Sequence, residues 1–93
     1  MPWMGVFYIF TQETILRLAP AAPGVYLLWR RGAWIYVGET ENIRERLLAF
    51  ARGENECVSR EMPTDFGYEM VPVGEQRTAR HAALIRELVP ICL

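Results

Sequence analysis

The chain has 93 residues, 52% of them hydrophobic and 23% charged, too few for two cores and too apolar for a disordered chain, so a single domain over residues 1–93 is expected. No apolar run approaches the roughly 18 residues that span a bilayer, and Gly5 to Phe10 lacks the basic flank of a signal peptide. A soluble, cytoplasmic protein with no membrane partner is therefore expected. The net charge of −1 argues against binding nucleic acid through the overall field, yet residues 24–52 hold five arginines against three glutamates, whereas residues 53–75 hold six acidic residues against Arg60 alone.

From the N-terminus, Gly5 to Phe10 reads as an edge strand or an apolar arm. Thr11 caps a short helix to about Leu18, which the proline-rich stretch to Gly24 ends. Val25 to Trp29 and Ala33 to Val37 form a predicted β-hairpin. With Arg30, Arg31 and Gly32 as a three-residue loop, Tyr26 pairs with Tyr36. Alternation then gives one face to Val25, Leu27, Trp29, Ala33, Ile35 and Val37, and the other to Leu28, Trp34 and the two tyrosines. A two-residue Arg31-Gly32 loop would break this pairing and lacks the Asn-Gly chemistry such turns prefer.

Asn42 with Glu45 three residues on starts a helix to about Arg52, before Gly53. Its buried stripe is Ile43, Leu47 and Phe50, with Arg46 at the edge and Arg44 farther out and freer. Glu54 to Asp65 reads as a loop broken by Pro63, and Phe66 to Val71 as a third strand. A helix from Thr78, or a turn earlier, to Leu88 carries His81, Leu84, Ile85 and Leu88 in one stripe, and Pro90 marks its end. Cys57 and Cys92, with one histidine in the chain, show no zinc spacing, and a disulfide between them is possible but unsupported by the sequence.

Gly24-Val25-Tyr26, then nine residues, then Tyr36-Val37-Gly38, followed by Asn42 and by Arg46 on the next helix, closely resembles the signature of the GIY-YIG nuclease superfamily. The match covers roughly residues 22–93, with 1–21 as an added arm and helix. The resemblance implies an α/β (α+β) domain, a three-stranded antiparallel sheet flanked by helices, that cuts a DNA phosphodiester with one divalent metal, Mg²⁺ or Mn²⁺. It places Tyr26 and Tyr36 beside the scissile phosphate, where a phenolic oxygen orients or deprotonates water, and Arg46 against the charge developing on the phosphate.

Two positions depart from that pattern. The family's metal-binding glutamate falls on His81, which removes a negative charge and a hard oxygen ligand and leaves His81 as a nitrogen candidate for Mn²⁺ or a transition metal. The family's asparagine after the last helix falls on Leu93. Glu39 stands where some members carry a lysine, at a variable position. Glu75 and Glu87 are the nearest other carboxylates on the last helix.

Each site residue also has a plainer reading: cross-strand packing for the tyrosines, a core or cleft imidazole for His81, and solvated charge for Arg44, Arg77 and Arg80. Arg30 and Arg31 at the hairpin tip, with Asn42 and Arg44, are candidate DNA-backbone contacts. Trp3, Trp29 and Trp34 read as core or lid residues. Two functions follow: a metal-dependent DNA endonuclease, or a degenerate domain that binds nucleic acid or a protein partner without cutting and needs no metal. A homodimer through the apolar N-terminal arm is a further expectation.

Overall fold

A computed structural model describes residues 5–92; Trp3 and Leu93 lie outside the described residues. The strands are β1 (Tyr8–Ile9), β2 (Gly24–Arg30), β3 (Ala33–Thr40) and β4 (Asp65–Met70), and the helices are α1 (Gln12–Leu18), α2 (Ile43–Ala51), α3 (Glu56–Glu61) and α4 (Glu75–Leu88). The sheet is antiparallel with order β1-β4-β2-β3. The expected α+β architecture stands, with one strand more than the expected three. The fourth is β1, where Tyr8 pairs with Phe66 and Ile9 with Asp65, so the apolar arm is an edge strand.

Helices begin where a side chain satisfies the free amides of their first turn. Thr11 Oγ1 accepts from Thr14 N at 3.2 Å, and Asn42 Oδ1 accepts from Glu45 N at 3.0 Å. A third cap was not anticipated. Asn55 Oδ1 accepts from Val58 N at 3.0 Å and starts α3 inside the segment expected to be a loop. Its acidic residues face water, and Val58 alone is buried, so no apolar periodicity announces this short helix.

The hairpin register differs from expectation. Arg31 and Gly32 both have positive φ, 40° and 79°, which makes the two-residue turn whose hand matches the strand twist. Arg30 therefore pairs with Ala33 and Trp29 with Trp34, and the register then shifts, so that Leu28 pairs with Tyr36 and Tyr26 with Gly38. The extra residue of this bulge is Ile35. It turns to the tyrosine face, and Trp34 joins the opposite one. Because turn and bulge together displace the pairing by two residues, the tyrosines still share a face, but as diagonal neighbours with ring centroids 6.1 Å apart.

Each face of the sheet has its own core. Tyr26, Leu28, Ile35 and Phe66 pack with Ile15 of α1, Ile43, Leu47 and Phe50 of α2, and Val58 of α3. Val25, Leu27 and Val37 pack with Leu84, Ile85 and Leu88 of α4, beside Phe7 and Trp34, and Phe7 also stacks on Trp29. The disulfide that the sequence left open is present: Cys57 of α3 is joined to Cys92 across a sequence separation of 35 residues, a closure that limits the unfolded chain by about 4 kcal/mol in the loop-entropy picture.

Two glycines are required by close approach. A Cβ on Gly24 would meet the Glu69 carbonyl of β4, and one on Gly38 would run into the Tyr26 phenol. The aromatic ring thus occupies the space that a side chain at position 38 would need. Gly38→Ala is expected to cost about 2–3 kcal/mol in urea unfolding. In a Tyr26→Leu background the same change should cost less than half as much, and equal costs in the two backgrounds would contradict this packing.

Candidate active site

Tyr26 comes from the central strand β2 and is 2% exposed. Its ring stacks on Tyr36 and is wedged by Phe50 of α2, whose centroid lies 5.8 Å from Tyr26 and 5.0 Å from Tyr36. Burial raises the Tyr26 phenol far above its ordinary value; Tyr36 adds to the rise through charge and a hydrogen bond, and Arg46 opposes it only in part. Tyr26 is therefore a neutral phenol throughout the working pH range. A hydrogen bond to Tyr36 that favours the protonated form has the Tyr26 hydroxyl donating. Tyr36 is half-buried and also lines the hollow beside it.

Arg46 projects from the second turn of α2. It lines a hollow of about 150 Å³ with Tyr36, Ala49, Phe50, Glu54 and Asn55, and also borders a wider cleft of about 570 Å³ that includes Glu39, Asn42, Glu45 and Arg77. The structure thus brings Tyr26, Tyr36 and Arg46 together. It reverses the expected contrast between the two α2 arginines: Arg46 is exposed, and the half-buried Arg44 donates from Nε to the Ala19 carbonyl at 2.8 Å, tying α2 to the end of α1. The helix phase is as read, but Ala19 lies under the flank that was taken as open. Asn42 is held as the α2 cap at the cleft wall. Arg30 and Arg31 stand apart, at the hairpin tip around a separate hollow with Ala33, Ile35 and Glu61.

His81 does not reach the tyrosine pocket. Its Nε2 lies 3.2 Å from the Val37 carbonyl and its Nδ1 lies 3.1 Å from Glu39 Oε2. Glu39 Oε1 accepts from Arg77 Nε at 3.1 Å, and Arg77 Nη1 donates to the Thr40 carbonyl at 2.9 Å. Both imidazole nitrogens thus face acceptors, to which the protonated ring donates twice and the neutral ring once, and both oxygens of the carboxylate have a partner within hydrogen-bond distance. No group of three His, Cys, Asp or Glu side chains that could hold a metal occurs among the described residues. The donor set around His81 does not fit a resident Mg²⁺, which takes oxygen ligands.

Arg77 and Arg80 were read as solvated charges, but both are paired: Arg80 forks onto Glu69 with bonds of 2.8 and 2.7 Å. Sequence reasoning gives Glu39 no role beyond a variable position, and places Phe50 in the buried stripe of α2 without marking it as the third wall of the tyrosine pocket. One signal was present. Arg77, His81, Leu84 and Leu88 follow a single helical stripe, so Arg77 belonged with the buried face.

The raised Tyr26 value fixes the sign of a pH effect. Its folded value lies above the unfolded one of about 10, so the stability it contributes is complete below pH 10 and is lost as pH rises beyond it, by up to about 1.4 kcal/mol per pH unit. Tyr68, also raised by burial, acts in the same direction. Urea unfolding at pH 9 to 11 should show a fall in stability that is smaller in Tyr26→Phe than in the wild type; parallel curves would contradict a buried neutral phenol.

No protein-family model matches the sequence. Two curated proteins do, both UvrABC system protein C: one from Nitrobacter winogradskyi, 34% identical over 84% of this chain, and one from Rhodopseudomonas palustris, 32% identical over 81% of it. The chain spans 12% and 11% of the length of these relatives. Among solved structures, the fold matches the GIY-YIG N-terminal endonuclease domain of UvrC from Thermotoga maritima bound to its catalytic divalent cation, magnesium, with 30% identity, a TM-score of 0.73 and coverage of 85% of this chain and 90% of that one. An asparagine-to-alanine variant of the same domain, also with its catalytic cation, matches at 30% identity and a TM-score of 0.73, covering 85% and 89%. The signature residues and an identity of 30% across nearly the whole of a matching domain together establish that this chain belongs to the GIY-YIG nuclease superfamily.

Proposed function

We propose that this domain works on DNA, docking a phosphodiester in the hollow between Tyr36 and Arg46 as an endonuclease-type site. The observation that carries this reading is the shared pocket: an exposed guanidinium on α2 and a phenol on β3 line one hollow, and the buried Tyr26 holds that phenol in place. Arg46 supplies the fork that phosphate oxygens accept, and is the group that meets charge developing there. Tyr36 donates its hydroxyl to a phosphate oxygen or to the water placed against it. Tyr26 acts as a positioning residue; a phenol held neutral by burial does not serve as the base. Asn42 shapes the cleft wall, and Arg30 and Arg31 are placed to meet the backbone beyond the pocket. The activity and partners of any longer protein that contains this domain belong to the same proposal.

The second reading, docking without cutting, is favoured by one specific observation. Hydrolysis needs a group that deprotonates water or a cation that acidifies it, and the position where the family pattern has a metal-binding glutamate carries a histidine with both nitrogens facing acceptors. The two readings share the pocket and differ only in turnover.

Anisotropy titrations and cleavage assays with branched, nicked and linear DNA test both. Arg46→Ala should weaken binding by about tenfold or more, as expected for one charge-assisted contact. Arg44→Ala should leave affinity within about twofold while lowering stability by about 1 kcal/mol. Product formed with Mg²⁺ or Mn²⁺ and lost in Arg46→Ala would support the nuclease; binding without product would support the second reading. Affinity unchanged in Arg46→Ala would overturn both.

A further inference from the structure

We infer that this site takes no resident divalent cation, because the Glu39–Arg77–His81 cluster fills that place as a hydrogen-bonded seam closing the free edge of the sheet. The inference begins from β3, the last strand in the order β1-β4-β2-β3, whose outer carbonyls have no neighbouring strand to satisfy them. Three of them are nevertheless bonded. Ile91 N donates to the Trp34 carbonyl at 2.9 Å and Cys92 N to the Ile35 carbonyl at 2.8 Å. His81 Nε2 lies 3.2 Å from the Val37 carbonyl, while Arg77 Nη1 donates at 2.9 Å to the Thr40 carbonyl, which faces β2 at the end of the strand. His81 of α4 thus continues along the edge what the C-terminal segment begins, and Arg77, one helical turn earlier, binds the end of the same strand.

Glu39 completes the seam. Its carboxylate is bridged, one oxygen to Arg77 Nε and the other to His81 Nδ1, each at 3.1 Å. A cation arriving at Glu39 would have to break both bonds and would sit beside the Arg77 guanidinium, whose charge repels it. A cation arriving at His81 would have to free a nitrogen from Glu39 or from Val37. Either route strips hydrogen bonds from half-buried polar groups, which is costly, and gains at most one carboxylate, too little for a hard cation. The carboxylate stands on β3 and its positively charged partner on α4, so the position is already neutralised from within the protein.

The metal arm of the test needs no activity and no DNA. Mn²⁺ is titrated into the whole chain while NMR line broadening is followed. Wild type should show no saturable site up to about 1 mM, with no selective loss of the Val37, Glu39, Arg77 and His81 signals. His81→Glu sets two carboxylates side by side, and should gain saturable broadening centred on Glu39 with at least tenfold tighter Mn²⁺ binding than wild type. Saturable broadening at Glu39 and His81 in wild type would overturn the inference, whether or not the variant folds. A DNA arm rests on the phosphodiester reading above: affinity measured with EDTA and with Mg²⁺ should agree within twofold. Binding that requires Mg²⁺ would also overturn the inference. Failure to bind under either condition would instead overturn the phosphodiester reading, and the Mn²⁺ titration would still decide the seam.

Discussion

The packing of the Tyr26 ring over Gly38 is the contact on which the site depends. A large aromatic side chain on the central strand, fully buried, is worth on the order of 2–3 kcal/mol in apolar area alone, but its hydroxyl must find a partner in the core. Tyr36 is that partner, brought diagonally within reach because β3 carries glycine where Tyr26 lies across it. Phe50 closes the third side. The same packing that stabilises the sheet therefore seats the Tyr36 ring, and α2, held by its Asn42 cap, brings Arg46 to the hollow that Tyr36 lines.

Around that pocket the charges are arranged unusually for a surface that meets phosphate. The wide cleft beside Arg46 is walled by Glu39, Glu41, Glu45 and Glu54, against Arg46 and Arg77. Of the cations, Arg77 is committed to Glu39 and Thr40, so in the proposed reading local recognition falls to Arg46. Long-range attraction from this cleft is weak, and docking there relies on fitted hydrogen bonds more than on field strength.

How much of this was legible in the sequence follows from the range of each interaction. Thr11 and Asn42 could be read as helix starts because a cap is a contact across three residues, and the two tyrosines could be assigned to one face because the strand period is two. The pairing register could not be read, since it depended on Arg31 accepting a left-handed backbone and on Ile35 bulging out, two departures that compensate each other. α3 was hidden by its acidic surface. The roles of Glu39, Arg77 and His81 are set by contacts across 38 to 44 residues of sequence, which no local pattern encodes, and the same holds for the Cys57–Cys92 link.

The proposed docking of a phosphodiester between Tyr36 and Arg46, beside the buried Tyr26, is tested most directly by mapping chemical shifts while a short branched DNA is added to the isotopically labelled chain. The account predicts that the largest changes fall on the Arg46 Nε–H and on Tyr36, Ala49 and Asn55, with Tyr26 following through its bond to Tyr36. Changes confined to the Arg30-Arg31 tip or to the outer face of α4, with Tyr36 and Arg46 unmoved at saturation, would contradict it.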